Sequence, residues 1–157
     1  METLEQTILA QSFFAGLDPE IGALIAGCAR HHRFEADAYL FREGDEAREF
    51  FLLREGDVSL EIHAAGGPTL VLGTIHENDI VGASWLVPPY RWNSDARART
   101  PIRALGIDAA CLRAKCEADP RTGYAMMKRF APLLVRRLHA AHLQLLDVYA
   151  RPDPARG

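Results

Sequence analysis

Residues 39–63 read Tyr39-Leu40-Phe41-Arg42-Glu43-Gly44-Asp45-Glu46-Ala47-Arg48-Glu49-Phe50-Phe51-Leu52-Leu53-Arg54-Glu55-Gly56-Asp57-Val58-Ser59-Leu60-Glu61-Ile62-His63. Two features of this stretch decide the fold. Arg42-Glu43-Gly44-Asp45 returns as Arg54-Glu55-Gly56-Asp57, with Phe50-Phe51-Leu52-Leu53 between the copies. Gly-Asp is turn chemistry, because glycine accepts a positive φ and aspartate bonds its own backbone. The second feature is the strict alternation from Val58 to His63, the mark of a half-buried strand. Working outward, the runs 39–41, 50–53, 58–62, 70–72, 80–81, 96–98 and 102–107 are short, apolar and bounded by Gly, Asp, Asn or Pro. Gly66-Gly67-Pro68 supplies a further turn. Short strands at this regular spacing predict a sandwich or a jelly roll over residues 34 to about 107.

The flanks are helical. Leu4, Ile8 and Leu9 give helical spacing over 4–14, and Ile21, Leu24 and Ile25 give it over 18–30. Asp18-Pro19 is a helix start, with a side-chain cap before a proline at the first helical position. His31-His32 reads as the end of that second helix, where the dipole suits a basic residue. Asp119-Pro120 repeats the start signal, and nothing stops the helix before Arg151-Pro152. Thirty helical residues would span roughly 45 Å, more than the core of a small domain needs. Met127, Ala131, Leu134, Leu138, Ala141, Leu145 and Val148 alternate spacings of four and three, an a/d seam that predicts parallel self-association into a homodimer. A second stripe, Phe130 and Leu133, can cover the β segment. The alternative is one amphipathic helix packed only on its own sheet. Pro132 predicts a kink or break near residues 128–132.

Composition bounds the rest. A chain of 157 residues predicts one domain. Its 48% hydrophobic and 25% charged residues exclude intrinsic disorder. No apolar run approaches the roughly 20 residues a bilayer demands, so no membrane span is expected. The net charge of −3 gives no support for binding duplex nucleic acid through phosphates. Met1-Glu2-Thr3-Leu4-Glu5 places acids where an export signal places basic residues, and the expected compartment is the cytoplasm. Cys28, Cys111 and Cys116 are an odd count at no metal-finger spacing and are expected to be reduced thiols.

No catalytic set is present in the sequence, which has no Gly-x-Ser-x-Gly and no P-loop; the expected function is not enzymatic. His139 and His142 lie three apart on the long helix without a carboxylate or cysteine beside them, so no metal site is expected. Lys128, Arg129, Arg136 and Arg137 read as a solvated face or a docking site. Arg97, Arg99 and Arg103 read as a solvated strand edge.

Several motifs in order carry a resemblance: Phe13-Phe14-Ala15-Gly16-Leu17 leading into Pro19-Glu20, then Leu40-Phe41-Arg42-Glu43-Gly44-Asp45. Phe51-Leu52-Leu53, Glu55-Gly56-Asp57-Val58 and Asn78-Asp79-Ile80-Val81-Gly82 continue it. Over about residues 4–149 the chain resembles the cyclic-nucleotide-binding domain family, in the form of the sensor domains of catabolite activator and fumarate-nitrate regulator proteins. The resemblance implies a mainly β protein with flanking helices. Its centre is a double-stranded β-helix (jelly roll), with N-terminal helices before it and a long C-terminal dimerisation helix after it. The domain would cover 1–150, with helices over 4–30, the roll over 34–108, C-terminal helices over 108–149 and a tail over 151–157.

The resemblance also implies a phosphate-binding cassette inside the roll. A cyclic nucleotide buries one anionic phosphate with a ribose hydroxyl, which calls for backbone N–H groups at a short helix start, an arginine and a carboxylate. In the family a Gly-Glu pair and a later Arg-Ser or Arg-Thr pair supply these. Here Gly82 is in place, Ala83 takes the position of the glutamate, and Trp92 takes that of the arginine. Arg91 stands one residue early, and Asn93-Ser94 follow. The candidate ligand residues are Gly82, Ala83, Ser84, Trp85, Arg91, Trp92, Asn93 and Ser94. Arg91 could swing in against the phosphate; Trp85, Tyr90 and Trp92 could instead fill the pocket or stack on a planar ligand. Three readings stay open: cyclic AMP or cyclic GMP, another small ligand, or no ligand. Family transcription factors continue into a helix-turn-helix after the long helix, whereas this sequence ends at Gly157, so no direct DNA binding is expected. The reading is a stand-alone sensor that signals through its C-terminal helix to a partner protein. The alternatives are a dimeric scaffold without a ligand, or the sensor half of a transcription regulator.

Overall fold

Two strands buried on both faces organise the molecule, which the computed structural model describes over residues 1–150; the expected tail 151–157 lies outside the described residues. These are β3 (Glu49–Glu55) and β8 (Ile102–Asp108), paired antiparallel with Leu52 opposite Leu105. Phe50, Phe51, Leu52 and Leu53 are all buried, which explains why this run does not alternate. Phe50, Leu52, Leu105 and Ile107 face a layer of helices. Phe51, Leu53, Ile102 and Ala104 face the second sheet.

The first sheet has the order β1 (Ala29–Phe34), β8, β3, β6 (Ile80–Val81). The second has the order β2 (Tyr39–Phe41), β7 (Asp95–Ala98), β4 (Val58–His63), β5 (Thr69–Ile75). All the runs expected as strands are strands, and the two sheets face each other as a jelly roll. The repeated turns work as read: Gly44 has φ +86° and Gly56 φ +96°. At Gly56 a β-carbon would also meet the Pro101 carbonyl at 2.5 Å, so the turn needs glycine twice over.

The N-terminal helices are shorter than expected. α1 (Leu4–Leu9) starts with a Thr3–Gln6 capping box and gives way to a 3-10 turn at Ser12–Phe14. α2 (Pro19–Ala26) starts at Asp18, whose side chain accepts from the Glu20 amide at 2.9 Å. It ends at Gly27, and His31 and His32 are not helical. They lie on β1, opposite Leu105 and Ala104. An edge strand that reads Ala-Arg-His-His-Arg-Phe keeps its charges in water and loses the apolar alternation that would reveal it.

The cysteine expectation is overturned. Cys28 and Cys111 form a disulfide, leaving Cys116 free. Sequence spacing gave no hint because the β1–β8 pairing makes the contact: the Asp108 amide donates to the Cys28 carbonyl at 2.8 Å. The bond joins the chain just before β1 to α3 (Ala109–Ala118), so it closes the whole roll.

α4 (Pro120–Ala150) is the expected long helix, with Asp119 capping the Arg121 amide at 3.0 Å. It runs through Pro132 without a break; Lys128 and Pro132 are both exposed, while Phe130 and Leu133 are pinned in the core. Phe130 meets Phe50 at 5.3 Å and Trp85 at 5.2 Å between ring centroids, both edge-on. The seam residues Met127, Leu134, Leu138, Leu145 and Val148 are exposed. Among the described residues no helix is long and apolar enough to cross a membrane.

Candidate functional site

The roll opens at one end into a cavity of about 620 Å³ roofed by α4. Leu60, Leu72, Gly73, Thr74 and Ile75 form one wall from β4 and β5. Gly82, Ala83 and Ser84 follow β6 and lead into the 3-10 turn Ser84–Leu86; Trp92, Asn93 and Ser94 lead into β7. Those six expected ligand residues are therefore brought together. Trp92 is inside the roll rather than free, stacked on Phe41 with centroids 3.8 Å apart. Its indole lies against Gly82, whose φ of +100° and close approach leave no room for a side chain.

The other two expected residues are elsewhere. Trp85 is fully buried, stacked on Phe50 at 4.7 Å, and its carbonyl accepts from Arg113 at 2.6 Å. Arg91 points away from the cavity: its guanidinium donates to the Gly44 carbonyl at 2.9 Å and lines an outer hollow with Asp45, Glu46 and Glu49. Tyr90 is covered by Arg113 at 4.2 Å and is not a cavity residue.

The cations in the cavity come from α4 instead. Leu133, Leu134, Arg136, Arg137, Leu138, Ala140, Ala141 and Gln144 roof it. Two of them latch the helix to the roll. Arg137 Nη2 donates to the Ile80 carbonyl, and Gln144 Nε2 donates to the Leu72 carbonyl at 2.8 Å. Burial pulls the Arg137 guanidinium below its ordinary value and Arg136 pulls it further, while Asp79 works the other way. Arg129 is likewise not a solvated residue, since it donates to the Ala15 carbonyl at 3.0 Å. The expectation of a solvated basic face fails at both positions. The roll-facing stripe explains why: Phe130 and Leu133 continue as Arg137, Ala140 and Gln144 at the same three- and four-residue spacing. Leu134, Leu138 and Ala141 belong at once to the cavity roof and to the a/d seam.

A second group of charges lies on the outer face of the β2-β7-β4-β5 sheet. Glu61, 1% exposed, pairs with Arg97 at 3.2 Å. Asp95 accepts from the Glu43 amide at 2.7 Å and meets Arg42 and His63 at 3.3 and 2.9 Å. Arg97 is thus not an edge-solvated residue. Arg103 pairs with Glu55 at 3.0 Å. Among the described residues no group of His, Cys, Asp and Glu could hold a metal ion.

The profile of the family described as the cyclic nucleotide-binding domain matches residues 31–119. No curated protein matches the chain. Among solved structures, a Geobacter metallireducens GS-15 protein described as cyclic nucleotide-binding is 30% identical, with a TM-score of 0.77 over 86% of this chain and 98% of its own. A cyclic nucleotide-binding domain from Methylobacillus flagellatus is 14% identical, with a TM-score of 0.76 over 96% and 84% of the two chains. The catabolite activator protein of Thermus thermophilus is 23% identical, with a TM-score of 0.68 over 87% and 62%. At those identities the last two share the fold.

Proposed function

The chain belongs to the cyclic nucleotide-binding domain family, and on that footing we propose that it is a dimeric sensor whose small ligand sits between the roll and α4. The observation that carries this reading is the roof of the cavity. α4 touches the roll across the opening through Leu133 and the two side-chain latches at Arg137 and Gln144. A ligand beneath them meets the helix as well as Gly82–Ser84 and Asn93–Ser94, so its presence changes how firmly α4 is held. The role is regulatory and not catalytic. Signalling runs along α4 to a second copy through the Met127–Val148 seam and to a partner protein. Cyclic AMP and cyclic GMP are the first ligands to try because of the family.

We place the sensor in the cytoplasm, where disulfides are rare and usually redox-active. The Cys28–Cys111 pair would then cycle between its two states.

Hydrogen exchange on α4, read with thermal melting, tests the sensor. The panel is cyclic AMP, cyclic GMP and small organic acids. A ligand at a hundred times its dissociation constant adds about 2.7 kcal/mol, or roughly 5–10 °C at this size. Protection of residues 134–146 should accompany it. A chain whose α4 exchange responds to no compound on the panel is a scaffold.

A further inference from the structure

The cavity's chemistry is lopsided. Its walls are mostly apolar, from Phe41, Leu60, Leu72 and Trp92 to Leu134 and Leu138. A ribose needs a carboxylate to accept from its hydroxyl, and Ala83, which lines the cavity in the segment where the family motif has its glutamate, offers none. A phosphate held from the cassette side needs a cation there, and Arg91 is turned outward onto Gly44. Trp92 occupies the space above Gly82. A nucleotide would therefore bury its ribose hydroxyls without the carboxylate and its phosphate without a cassette cation, which is costly.

One end of the cavity is different. Arg137 reaches in from α4, partly buried, and among the described residues makes a single hydrogen bond, to the Ile80 carbonyl. A guanidinium carries five N–H donors in a fixed fork. Asp79 lines the same end of the cavity and acts on Arg137 through space without closing on it as an ion pair, its Oδ1 accepting instead from the Ile80 amide at 2.8 Å. Arg136 adds a second cation to the same roof. Two cations, Arg136 and Arg137, against the one carboxylate of Asp79 leave this end of the cavity net positive. The Arg137 donors not spent on Ile80 favour an entering anion, whose carboxylate matches the fork.

Resting on the sensor reading, we infer that the ligand is an apolar monoanion, a carboxylic acid with a hydrocarbon or aromatic body, whose charged end docks on Arg137 of α4 and whose body lies along Leu60, Leu72 and Trp92. The acid replaces the Ile80 carbonyl as the partner of Arg137, so binding trades the helix's own latch for a contact through the ligand. The Gln144–Leu72 bond stays. α4 is thereby both the binding element and the reporter.

Isothermal titration of the full chain with naphthoate, its neutral counterpart naphthalenemethanol and cyclic AMP tests this, repeated on Arg137→Met, Arg137→Lys and Arg91→Met with the fold checked by circular dichroism. Naphthoate should bind about ten- to a hundredfold tighter than the alcohol, the gap a charge-assisted hydrogen bond gives. Arg137→Met should close the gap, Arg137→Lys should keep most of it, and Arg91→Met should leave it unchanged. Equal binding of acid and alcohol, or a gap that survives in Arg137→Met, overturns the assignment of Arg137. Cyclic AMP binding tighter than naphthoate overturns the ligand class and leaves the sensor standing. Binding by none of the three overturns the inference, and the sensor is then judged by α4 exchange with the wider panel.

Discussion

Trp92 lies flat on Phe41, with ring centroids 3.8 Å apart and planes 9° from parallel, and its outer edge sits where a β-carbon on Gly82 would come within 2.6 Å. The two constraints on residue 82, a left-handed φ and the indole above it, are separable. Gly82→Ala should destabilise the chain by about 2–4 kcal/mol through strain and overpacking, and Trp92→Ala by about 3–5 kcal/mol. In the double variant the clash is gone and the strain remains, so the summed loss should shrink by about 1–2 kcal/mol. Urea melts of the four proteins measure this; strict additivity would mean that the indole does not press on residue 82.

Glu61 and Arg97 stand together on the outer face of a sheet, the carboxylate 1% exposed. Removing one partner strands the other. Arg97→Met should cost about 3–5 kcal/mol, because a buried carboxylate is left without its cation. Replacing both, as Glu61→Met with Arg97→Met, should recover most of that loss. A denaturation series in which the double variant is no better than the single would show the carboxylate to be satisfied by water.

The Cys28–Cys111 bond closes a loop with 83 residues of separation. Cross-linking over such a length restricts the unfolded chain by at most about 4–5 kcal/mol in the chain-entropy account. Reduction, or Cys111→Ser, should therefore lower the melting temperature by at most about 10–20 °C. The fold should remain, since the β1–β8 ladder holds the same two chain ends together. A reduced chain that melts at the unchanged temperature would show that the bond adds nothing.

Cys116 is the remaining thiol, and burial, with a smaller push from Glu117, raises its pKa. A raised thiol pKa keeps the neutral, unreactive form. The stabilisation this represents is present below the ordinary thiol range and is lost as the pH rises through the raised pKa. A disulfide reagent should modify Cys116 several-fold more slowly in the native chain than in urea at the same pH. Equal rates would place the thiol in water.

Strands and the long helix were legible where one physical signal dominated. Alternation at Val58–His63, unbroken apolar character at Phe50–Leu53, and Asp-Pro helix starts each report burial or capping locally. β1 was hidden because an edge strand keeps Arg30, His31 and Arg33 exposed and so carries no apolar period. The disulfide was hidden because its two ends meet only through the pairing of β1 with β8. In the site, the cassette residues were found by position in a motif, whereas the direction of Arg91 depends on the bridge between Glu46 and Arg91 and on the Gly44 carbonyl. Arg137 was legible in principle: it continues the stripe of Phe130 and Leu133 but carries charge, and a charge on a buried stripe marks a partner still to be named.

Leu134, Leu138 and Ala141 each line the cavity and also stand on the seam of α4. In a dimer joined along that seam, occupancy and association share the same side chains, so reciprocity applies: whatever factor the ligand contributes to self-association, self-association returns to ligand affinity. The apparent affinity of the chain for its ligand then becomes a function of how much of the chain is present. The cell could set the sensitivity of such a sensor by abundance alone, without altering a residue.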